Sequence, residues 1–477
     1  MFFRAACLAL VAAAPAMAEE YVPGRVLVRY REGARPAPRG ARLERTLAGH
    51  TALFAVADAD AALAELRDHP AVAWIEREHV RRRAAATVTP DDALYPQQWA
   101  LPAIHAPAAW ARTTGSSAVV VAVLDSGILP HPELTPRLTA GWDFISDAAN
   151  AGDGDGRDPD PTDAGDRDPT SSMLHGTHVA GIIGASADNG VGVAGVDWRC
   201  RVQPVRVLGV DGGRGDDGDI ADAIRWAAGL HVDGAPDNPT PADVINLSFD
   251  GRGLSRALQD AVDDATARGA AVVAAAGNDG ADAAGYAPGG LDGVISVGAA
   301  DENGRRAAYS NFGARVTLLA PGGTYQEDSP GRFAAILSTL FVPPADAAYV
   351  YYAGTSQAAP YVAGAIALMK SIDPALSPLR ARAILSASAG AGGRCAEGCG
   401  GGLLDLDAAL ALAAEQRACG GRCAGDQWCS AGECVSAPGV STARASGCAV
   451  TPRAPPAPLL VLGSMALLVC CFRARRR

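Results

Sequence analysis

The stretch Gly-Thr-Ser-Gln-Ala-Ala-Pro at residues 354–360 opens a segment whose apolar residues recur with helical spacing. That spacing predicts a buried helix from Gln357 to Lys370. Ser356 therefore lies at a helix N-terminus, where backbone N–H groups and the positive end of the helix dipole favour negative charge. The small residues around it allow another chain to approach closely. The stretch predicts a serine poised for chemistry at the start of a core helix.

Two further motifs precede this one. Val-Ala-Val-Leu-Asp-Ser-Gly occupies residues 121–127, and His-Gly-Thr-His-Val-Ala-Gly occupies residues 175–181. The apolar run at 119–124 predicts a buried parallel strand that ends at Asp125, and open α/β sheets place their sites at such strand ends. His175 begins a stretch of small and apolar residues that predicts a buried helix. We therefore expect both side chains to face a crevice at the edge of the sheet.

A serine, a histidine and an aspartate are the groups that acyl transfer needs. The hydroxyl needs a base, and the base needs a carboxylate that fixes its tautomer. Taken singly, Asp125 can cap the next segment, and most Gly-Thr-Ser strings are loops. His175 and His178 resemble a zinc pair, but the third ligand and the Glu of His-Glu-x-x-His are missing. We therefore expect His178 to be a packed, hydrogen-bonded structural histidine.

The three motifs, in the chain order Asp, His, Ser, resemble those of subtilisin-like serine proteases over residues 94–410. The resemblance implies a doubly wound, mostly parallel α/β fold and protein or peptide substrates. In it Ser356 is the nucleophile, His175 the base and Asp125 the group that orients the base. The segment 274–279 resembles the one that carries the family's oxyanion-hole asparagine, here Asn278.

The resemblance also locates the substrate cleft. Residues 244–251 resemble the strand edge that pairs with the substrate backbone, so Ser248, Phe249, Asp250 and Gly277 are candidate substrate-binding residues. Asp250 departs from the family, which usually has glycine there. Gln357 departs as well, because the family commonly carries methionine beside the nucleophile.

Seven aspartates crowd a Gly/Pro-rich loop before His175, among them Asp153, Asp155 and Asp158. Carboxylates at this density repel one another unless a hard cation lies among them, so we expect structural calcium there. A solvated acidic loop is the alternative.

The family's high-affinity calcium site has counterparts in two other segments. Glu133 and Asn189 would supply side-chain oxygens, and Ala187, Val191 and Val193 would supply carbonyl oxygens. The family acid is typically aspartate where this chain has Glu133.

The chain has 477 residues and a formal net charge of −11, which argues against nucleic acid as a partner and for an acidic, exported protein. Residues 1–18 combine a charged start, an apolar stretch and Ala-Met-Ala, which predicts a secretory signal peptide. Within residues 19–83 the sequence predicts a strand at 25–30, a polar loop, a strand at 52–56, a helix that opens at Asp58 or Asp60, and a strand at 71–75. This alternation of strands with a helix predicts a small α+β domain.

By its position, this domain resembles the inhibitor-type, ferredoxin-like propeptide of subtilases; an unrelated N-terminal domain is the alternative. The basic-then-small stretch 81–88 is the expected place of release, between a propeptide at 19–83 and a catalytic domain at 84–414.

Six cysteines cluster after residue 394, which in an exported chain predicts disulfides. We expect Cys395 to pair with Cys399 and the other four to staple a small module at 415–436, with three connectivities open. Zinc binding is the alternative. Cys200, on an apolar strand, is expected to be buried and free.

Residues 437–477 hold a linker with Cys448, an apolar run at 459–472 and an arginine cluster. This order resembles the tripartite C-terminal sorting signals of bacterial surface proteins, and a permanent membrane anchor is the alternative.

Together these features predict a monomeric bacterial serine endopeptidase, exported to the cell surface, the outer membrane or the medium, and matured by propeptide cleavage. A processing protease of narrow specificity is one rival interpretation, and a surface-anchored pseudoenzyme that acts as an adhesin is another.

Overall fold

The computed structural model describes residues 21–31, 33, 35–79, 86–167, 174–325, 327–329, 332–342, 345–390, 392–393, 395–418, 427–430 and 433–436. The chain divides into two compact units, Met1–Ala86 and Thr87–Arg477, which we describe separately.

The N-terminal unit is a four-stranded antiparallel sheet with one helix. Its elements are β1 (Tyr21–Tyr30), β2 (Arg42–Leu47), β3 (Thr51–Ala55), α1 (Ala59–Leu66) and β4 (Val72–His79). The strands lie in the order β2-β3-β1-β4. Asp58 caps α1 by accepting the N–H groups of Asp60 and Ala61 at 2.9 and 3.1 Å, so the predicted helix start is confirmed.

The α+β prediction for this unit is confirmed, but the sequence analysis took the segment that forms β2 for a polar loop. That assignment was wrong because β2 has no fully buried residue; Leu43 is 53% exposed. A ferredoxin-like unit has two helices, and the described residues of this unit form one. The ferredoxin-like assignment therefore stays a prediction.

The second unit is built on a parallel sheet. Its strands and helices are α2 (Ala100–Ala103), α3 (Ala106–Trp110), β5 (Val120–Asp125), β6 (Trp142–Asp143), α4 (Ala148–Ala151), α5 (His175–Gly184), β7 (Arg201–Arg206), α6 (Asp217–Ala227), β8 (Val244–Leu247), β9 (Gly251–Arg252), α7 (Arg256–Ala267), β10 (Ala271–Ala275), β11 (Tyr286–Ala287), β12 (Ile295–Ala300), β13 (Val316–Pro321), β14 (Glu327–Ser329), β15 (Arg332–Phe333), β16 (Ile336–Val342), β17 (Ala345–Tyr352), α8 (Thr355–Ile372), α9 (Pro378–Ser388), α10 (Leu406–Ala418), β18 (Gln427–Ser430) and β19 (Glu433–Ser436).

Seven strands form the main sheet in the order β13-β12-β10-β8-β5-β7-β6, and every neighbouring pair is parallel. After β5 the chain first forms β6 and β7 on one side of it and then adds β8, β10, β12 and β13 in turn on the other. Ligands bind outside the carboxyl ends of the strands at such a switch point, which here lies beyond β5 and β8.

Helices cover both faces of this sheet, so the predicted α/β class is confirmed. Val121 and Val123 of β5 pack in a core with α5 and α8. Val120, Ala122 and Leu124 face the opposite core, which contains residues of α6 and α7. This alternation is the two-residue period of a strand that is buried on both faces.

Two cysteine predictions are confirmed. Cys395 and Cys399 form a disulfide with their Cα atoms 5.5 Å apart, and Cys200 is buried with a free thiol. Cys434 is also disulfide-bonded. In the backbone register of β18 and β19 it lies opposite Cys429. Cys419 and Cys423 lie outside the described residues, so the connectivity stays open.

Within the described part of the chain, no helix is both long and apolar enough to cross a membrane. The apolar run at 459–472 and the predicted signal peptide at 1–18 lie outside that part.

Candidate active site

Asp125 is the last residue of β5 and is fully buried. Its Oδ1 accepts the N–H of Ser126 at 2.8 Å. Gly127 then takes φ = +105°, a conformation that favours glycine, and a Cβ there would lie 2.6 Å from the carbonyl oxygen of Pro161. The Asp-Ser-Gly motif thus ends the strand in a tight turn that holds the carboxylate at the sheet edge.

His175 is the first residue of α5, and its Nδ1–H donates to Oδ1 of Asp125 at 2.8 Å. Only 13% of its side chain is exposed. The helix reaches the strand because residue 176 is glycine: a Cβ there would lie 2.2 Å from the carbonyl oxygen of Gly127. Burial alone would lower the pKa of His175, but the charge and hydrogen bond of Asp125 outweigh it, so the pKa is raised.

The hairpin of β16 and β17, which the sequence analysis did not predict, backs this helix. Ser338 and Thr339 donate hydrogen bonds to the carbonyl oxygens of His178 and Thr177 at 2.7 and 2.8 Å. His178 is fully buried, and its Nε2–H lies 3.1 Å from the carbonyl oxygen of Val350. Burial lowers its pKa to about 3, so the predicted structural role of His178 is confirmed.

Ser356 is the second residue of α8 and is half-buried. Its carbonyl oxygen accepts the hydroxyl of Ser248 at 2.9 Å, which ties the start of α8 to the segment after β8. Ser356 and His175 line one cavity of about 220 Å³, together with Phe249 and Asp250. The structure therefore brings the three residues of the predicted triad to one place, at the switch point of the sheet.

Asn278 follows β10 and lies beside the same helix start. Its Oδ1 accepts the backbone N–H of Thr355 at 2.9 Å and the hydroxyl of Thr355 at 3.0 Å. Because these two donors fix the carbonyl side of the amide, the Nδ2 group is left to donate elsewhere. Within the described residues Nδ2 makes no hydrogen bond.

Gln357 is buried next to the imidazole. Its Nε2 lies 3.5 Å from Nε2 of His175, and its side chain is 2% exposed. The sequence analysis singled out this position for its departure from the family, and the structure places it against the base.

The predicted substrate-binding residues separate into two kinds. Phe249 and Asp250 line the cavity beside Ser356. Ser248 also borders it, but its side chain is buried and bonded to Asn246 and Ser356, so it supports the site from within. Gly277 has φ = +105°, and its backbone N–H donates to the hydroxyl of Thr355 at 3.2 Å.

The acidic loop is neutralised in part by an arginine that the sequence analysis did not connect to it. The buried guanidinium of Arg206 pairs with Asp153 and with the buried Asp143, at 2.6 Å in the second case. Burial raises the pKa of Asp158, and the nearby charges of Asp155 and Asp153 add to the rise. Among the described residues, no group of three or more acidic, histidine or cysteine side chains is arranged to hold a metal ion. Calcium at Asp153, Asp155 and Asp158 stays a prediction.

The other predicted calcium segments do meet. Glu133 is buried, and its carboxylate accepts the amide of Asn189 at 3.2 Å and the hydroxyl of Tyr349 at 3.0 Å. A second buried acid, Asp92, accepts the backbone N–H of Asp188 at 2.8 Å. Burial raises the pKa of Glu133, and the charge of Asp92 adds to the rise.

The sequence analysis missed Asp92, because a contact across nearly one hundred residues leaves no local pattern. An acidic residue just before the resemblance begins at residue 94 was the one available signal.

Comparisons with known proteins agree with this geometry. A family model described as the subtilase family matches residues 116–402. The extracellular protease of Xanthomonas campestris pv. campestris is 42% identical over 377 residues, which cover 75% of this chain and 62% of that protein. The extracellular basic protease of Dichelobacter nodosus is 41% identical over 371 residues, which cover 72% of this chain and 59% of that protein. The matches thus span about three fifths of these relatives.

A solved structure of a protease from Pseudoalteromonas arctica PAMC 21717 is similar as well. It superimposes with a TM-score of 0.65 at 42% identity, and the match covers 68% of this chain and 100% of that one.

Proposed function

The chain belongs to the subtilase family, and from that premise we propose that it is an exported serine endopeptidase that acts through an acyl-enzyme. One observation carries the proposal. The Nδ1–H of His175 is held by the buried Asp125 at 2.8 Å, and the imidazole faces a cavity that Ser356 also lines. A base with a fixed tautomer beside a hydroxyl is the arrangement that nucleophilic catalysis requires.

The chemistry follows from these positions. His175 Nε2 takes the hydroxyl proton as Ser356 Oγ attacks the peptide carbonyl, and Asp125 stabilises the imidazolium. The tetrahedral intermediate expels the amine, which receives the proton from His175, and an ester to Ser356 remains. Water, deprotonated by His175, then hydrolyses the ester and regenerates the serine.

Asn278 is proposed to stabilise the negative oxygen of each tetrahedral intermediate. Its Nδ2 and the backbone N–H of Ser356 are the two donors, at the positive end of α8. The hydrogen bonds from Thr355 support this role, because they leave Nδ2 as the free side of the amide.

A fluorophosphonate probe tests the proposed function, because it forms a covalent bond only with an activated serine. We expect one mole of probe per mole of mature protein, attached to Ser356, and no labelling of the Ser356→Ala variant. Absence of labelling in the folded wild type would favour the pseudoenzyme that acts as an adhesin.

Export and maturation belong to the same proposal. We infer a signal peptide at 1–18, an inhibitor-type propeptide at 19–83, a catalytic domain at 84–414, a disulfide-rich module at 415–436 and a sorting or anchoring segment at 437–477. The names of the Xanthomonas and Dichelobacter relatives, both extracellular proteases, support export.

Structural calcium is proposed near Glu133. Glu133, Asn189 and Asp92 offer side-chain oxygens, and the carbonyl oxygens of Ala187, Val191 and Val193 would complete the set. Within the described residues these three carbonyls accept no hydrogen bond. Two buried carboxylates beside unpaired carbonyl oxygens suit a hard cation, which would cancel their repulsion.

Removing calcium with EDTA should therefore lower the melting temperature. A cation that binds only the folded state stabilises it by about 2.7 kcal/mol at one hundred times its Kd. At about 2.1 cal/mol/K of unfolding entropy per residue, a domain of about 330 residues would shift by about 4 °C, measured by differential scanning fluorimetry with and without millimolar calcium.

Two variants separate the two predicted sites. Glu133→Gln should remove most of the calcium-dependent shift, whereas Asp155→Asn should leave it unchanged. The reverse pattern would place the ion in the acidic loop, and equal melting curves with and without calcium would contradict both sites.

Gln357 should make the enzyme tolerant of peroxide. A methionine here would place its thioether beside His175, and oxidation to the polar sulfoxide would disturb the buried site. We expect the wild type to keep most of its activity after mild peroxide treatment and Gln357→Met to lose most of it.

A second methionine, Met173, precedes His175 by two residues and lies outside the described residues. To exclude any effect of its oxidation, Met173→Leu should be introduced into both the wild type and Gln357→Met. Equal inactivation of the two Met173→Leu proteins would contradict the role assigned to residue 357.

A further inference from the structure

Asp250 and Gly277 lie just beyond two neighbouring strands of the sheet. Asp250 follows β8, and Gly277 follows β10, which pairs with β8. A Cβ on Gly277 would collide with Nδ2 of Asn311 and would stand 3.0 Å from the Asp250 carboxylate. Glycine at residue 277 therefore lets the two segments lie close together, and Asp250 lines the cavity beside Ser356.

Asp250 lines the same cavity as Ser356 and His175. In the proposed mechanism the attacked carbonyl is expected between Ser356 Oγ and the Nδ2 of Asn278. The Cα of the substrate residue that carries this carbonyl, the P1 residue, is one bond away. We therefore expect the P1 side chain to meet the segment that contains Asp250.

The Asp250 carboxylate has no compensating partner. Within the described part of the chain it makes no hydrogen bond and no ion pair. The nearest arginine in sequence, Arg252, pairs instead with Asp279 at 2.8 Å, and Tyr286 donates to the same carboxylate at 2.7 Å. No arginine or lysine is among the described residues that line the cavity beside Ser356, whereas Asp163 and Asp166 are.

The surroundings of Asp250 also disfavour its negative charge. The residue as a whole is exposed, but partial burial of its carboxyl group raises its pKa, and the charge of Asp279 adds to the rise. A bound cation would offset both effects.

We propose that Asp250 is a specificity-determining residue, and that it makes the enzyme favour arginine or lysine at P1. The proposal rests on the proposed serine endopeptidase function and names its substrate class. A guanidinium bound in the cavity beside Ser356 would supply the missing partner of the Asp250 carboxylate.

The chain itself offers such a substrate. Three arginines at residues 81–83 precede the small residues at 84–86, so cleavage at the proposed propeptide boundary would place Arg83 at P1. Residues 81–85 lie outside the described residues.

The test uses four peptide substrates that differ only at P1: arginine, lysine, leucine and citrulline, the neutral isostere of arginine. For the mature wild type we expect kcat/KM for arginine to exceed that for citrulline by about 10- to 100-fold, the range of a charge-assisted hydrogen bond. In Asp250→Asn this ratio should fall to near one, while cleavage after leucine changes by less than threefold. Added salt should weaken the arginine preference of the wild type.

Asp217→Asn is the matched control, because Asp217 is an exposed carboxylate that lines the adjoining cavity and not the cavity beside Ser356. It should keep the wild-type ratio. Equal cleavage after arginine and citrulline by the wild type, or an unchanged ratio in Asp250→Asn, would overturn the assignment of Asp250 and leave proteolysis intact. Failure of the wild type to cleave any of the four peptides would overturn the endopeptidase function as well.

Discussion

Replacing Ser356 with alanine is expected to abolish peptide hydrolysis and to leave the precursor uncut. Without the hydroxyl, no acyl-enzyme forms, and only binding and oxyanion stabilisation remain. In subtilisin itself, removal of the nucleophile costs about 10⁶-fold in kcat, and we expect a loss of that order here. Peptide hydrolysis measures the first effect, and intact mass spectrometry of the purified protein measures whether residues 19–83 remain attached.

The fold should survive this change. The structural contact of Ser356 is made by its backbone carbonyl, which accepts the hydroxyl of Ser248 and is unchanged in alanine. Ser371→Ala, on the same helix but bonded to the Leu368 carbonyl, serves as the matched control and should mature normally. If purified Ser356→Ala matured as fast as the control, another enzyme would be responsible for the cleavage.

The local features of the site were predictable from sequence. The strand expected at 119–124 is β5 at 120–125, and the helix expected from Gln357 begins two residues earlier, at Thr355. Both depend on apolar periodicity and on glycines at fixed offsets, which are properties of a short window. Ser356, His175 and Asp125 each lie at the end of such an element, so they could be placed individually.

The contacts between distant segments could not be predicted in this way. The pairing of Arg206 with Asp153 spans 53 residues, and it supplies a counter-charge where the sequence analysis expected a cation. Asp92 meets the loop around Asp188 across 96 residues. Such long-range contacts have no periodicity in the sequence, because the fold brings the residues together only after the strands have been ordered.

Asp125→Asn is expected to lower kcat by about 10⁴-fold while leaving the fold intact. Asparagine has the same shape, and its oxygen can still accept the N–H of Ser126. Because Oδ1 of Asp125 accepts both this N–H and the Nδ1–H of His175, an asparagine turned to present its amide N–H to Nδ1 gives up the bond from Ser126 and stabilises the wrong tautomer. In either orientation the charge that balances the imidazolium is lost. At about 1.36 kcal/mol per tenfold, the loss corresponds to about 5.4 kcal/mol of transition-state stabilisation. Peptide hydrolysis at saturating substrate measures it.

The pH profile gives the same variant a second signature. His175 must be neutral to act as the base, so activity rises as pH increases through its pKa. The charge of Asp125 raises that pKa in the wild type, so the rise in the variant should shift to lower pH. Asp166→Asn is the matched control, since Asp166 lines the same cavity and accepts the backbone N–H of Gly212 at 3.3 Å. A fall in kcat of less than tenfold in Asp125→Asn, similar to that of the control, would show that the carboxylate at the end of β5 does not orient His175.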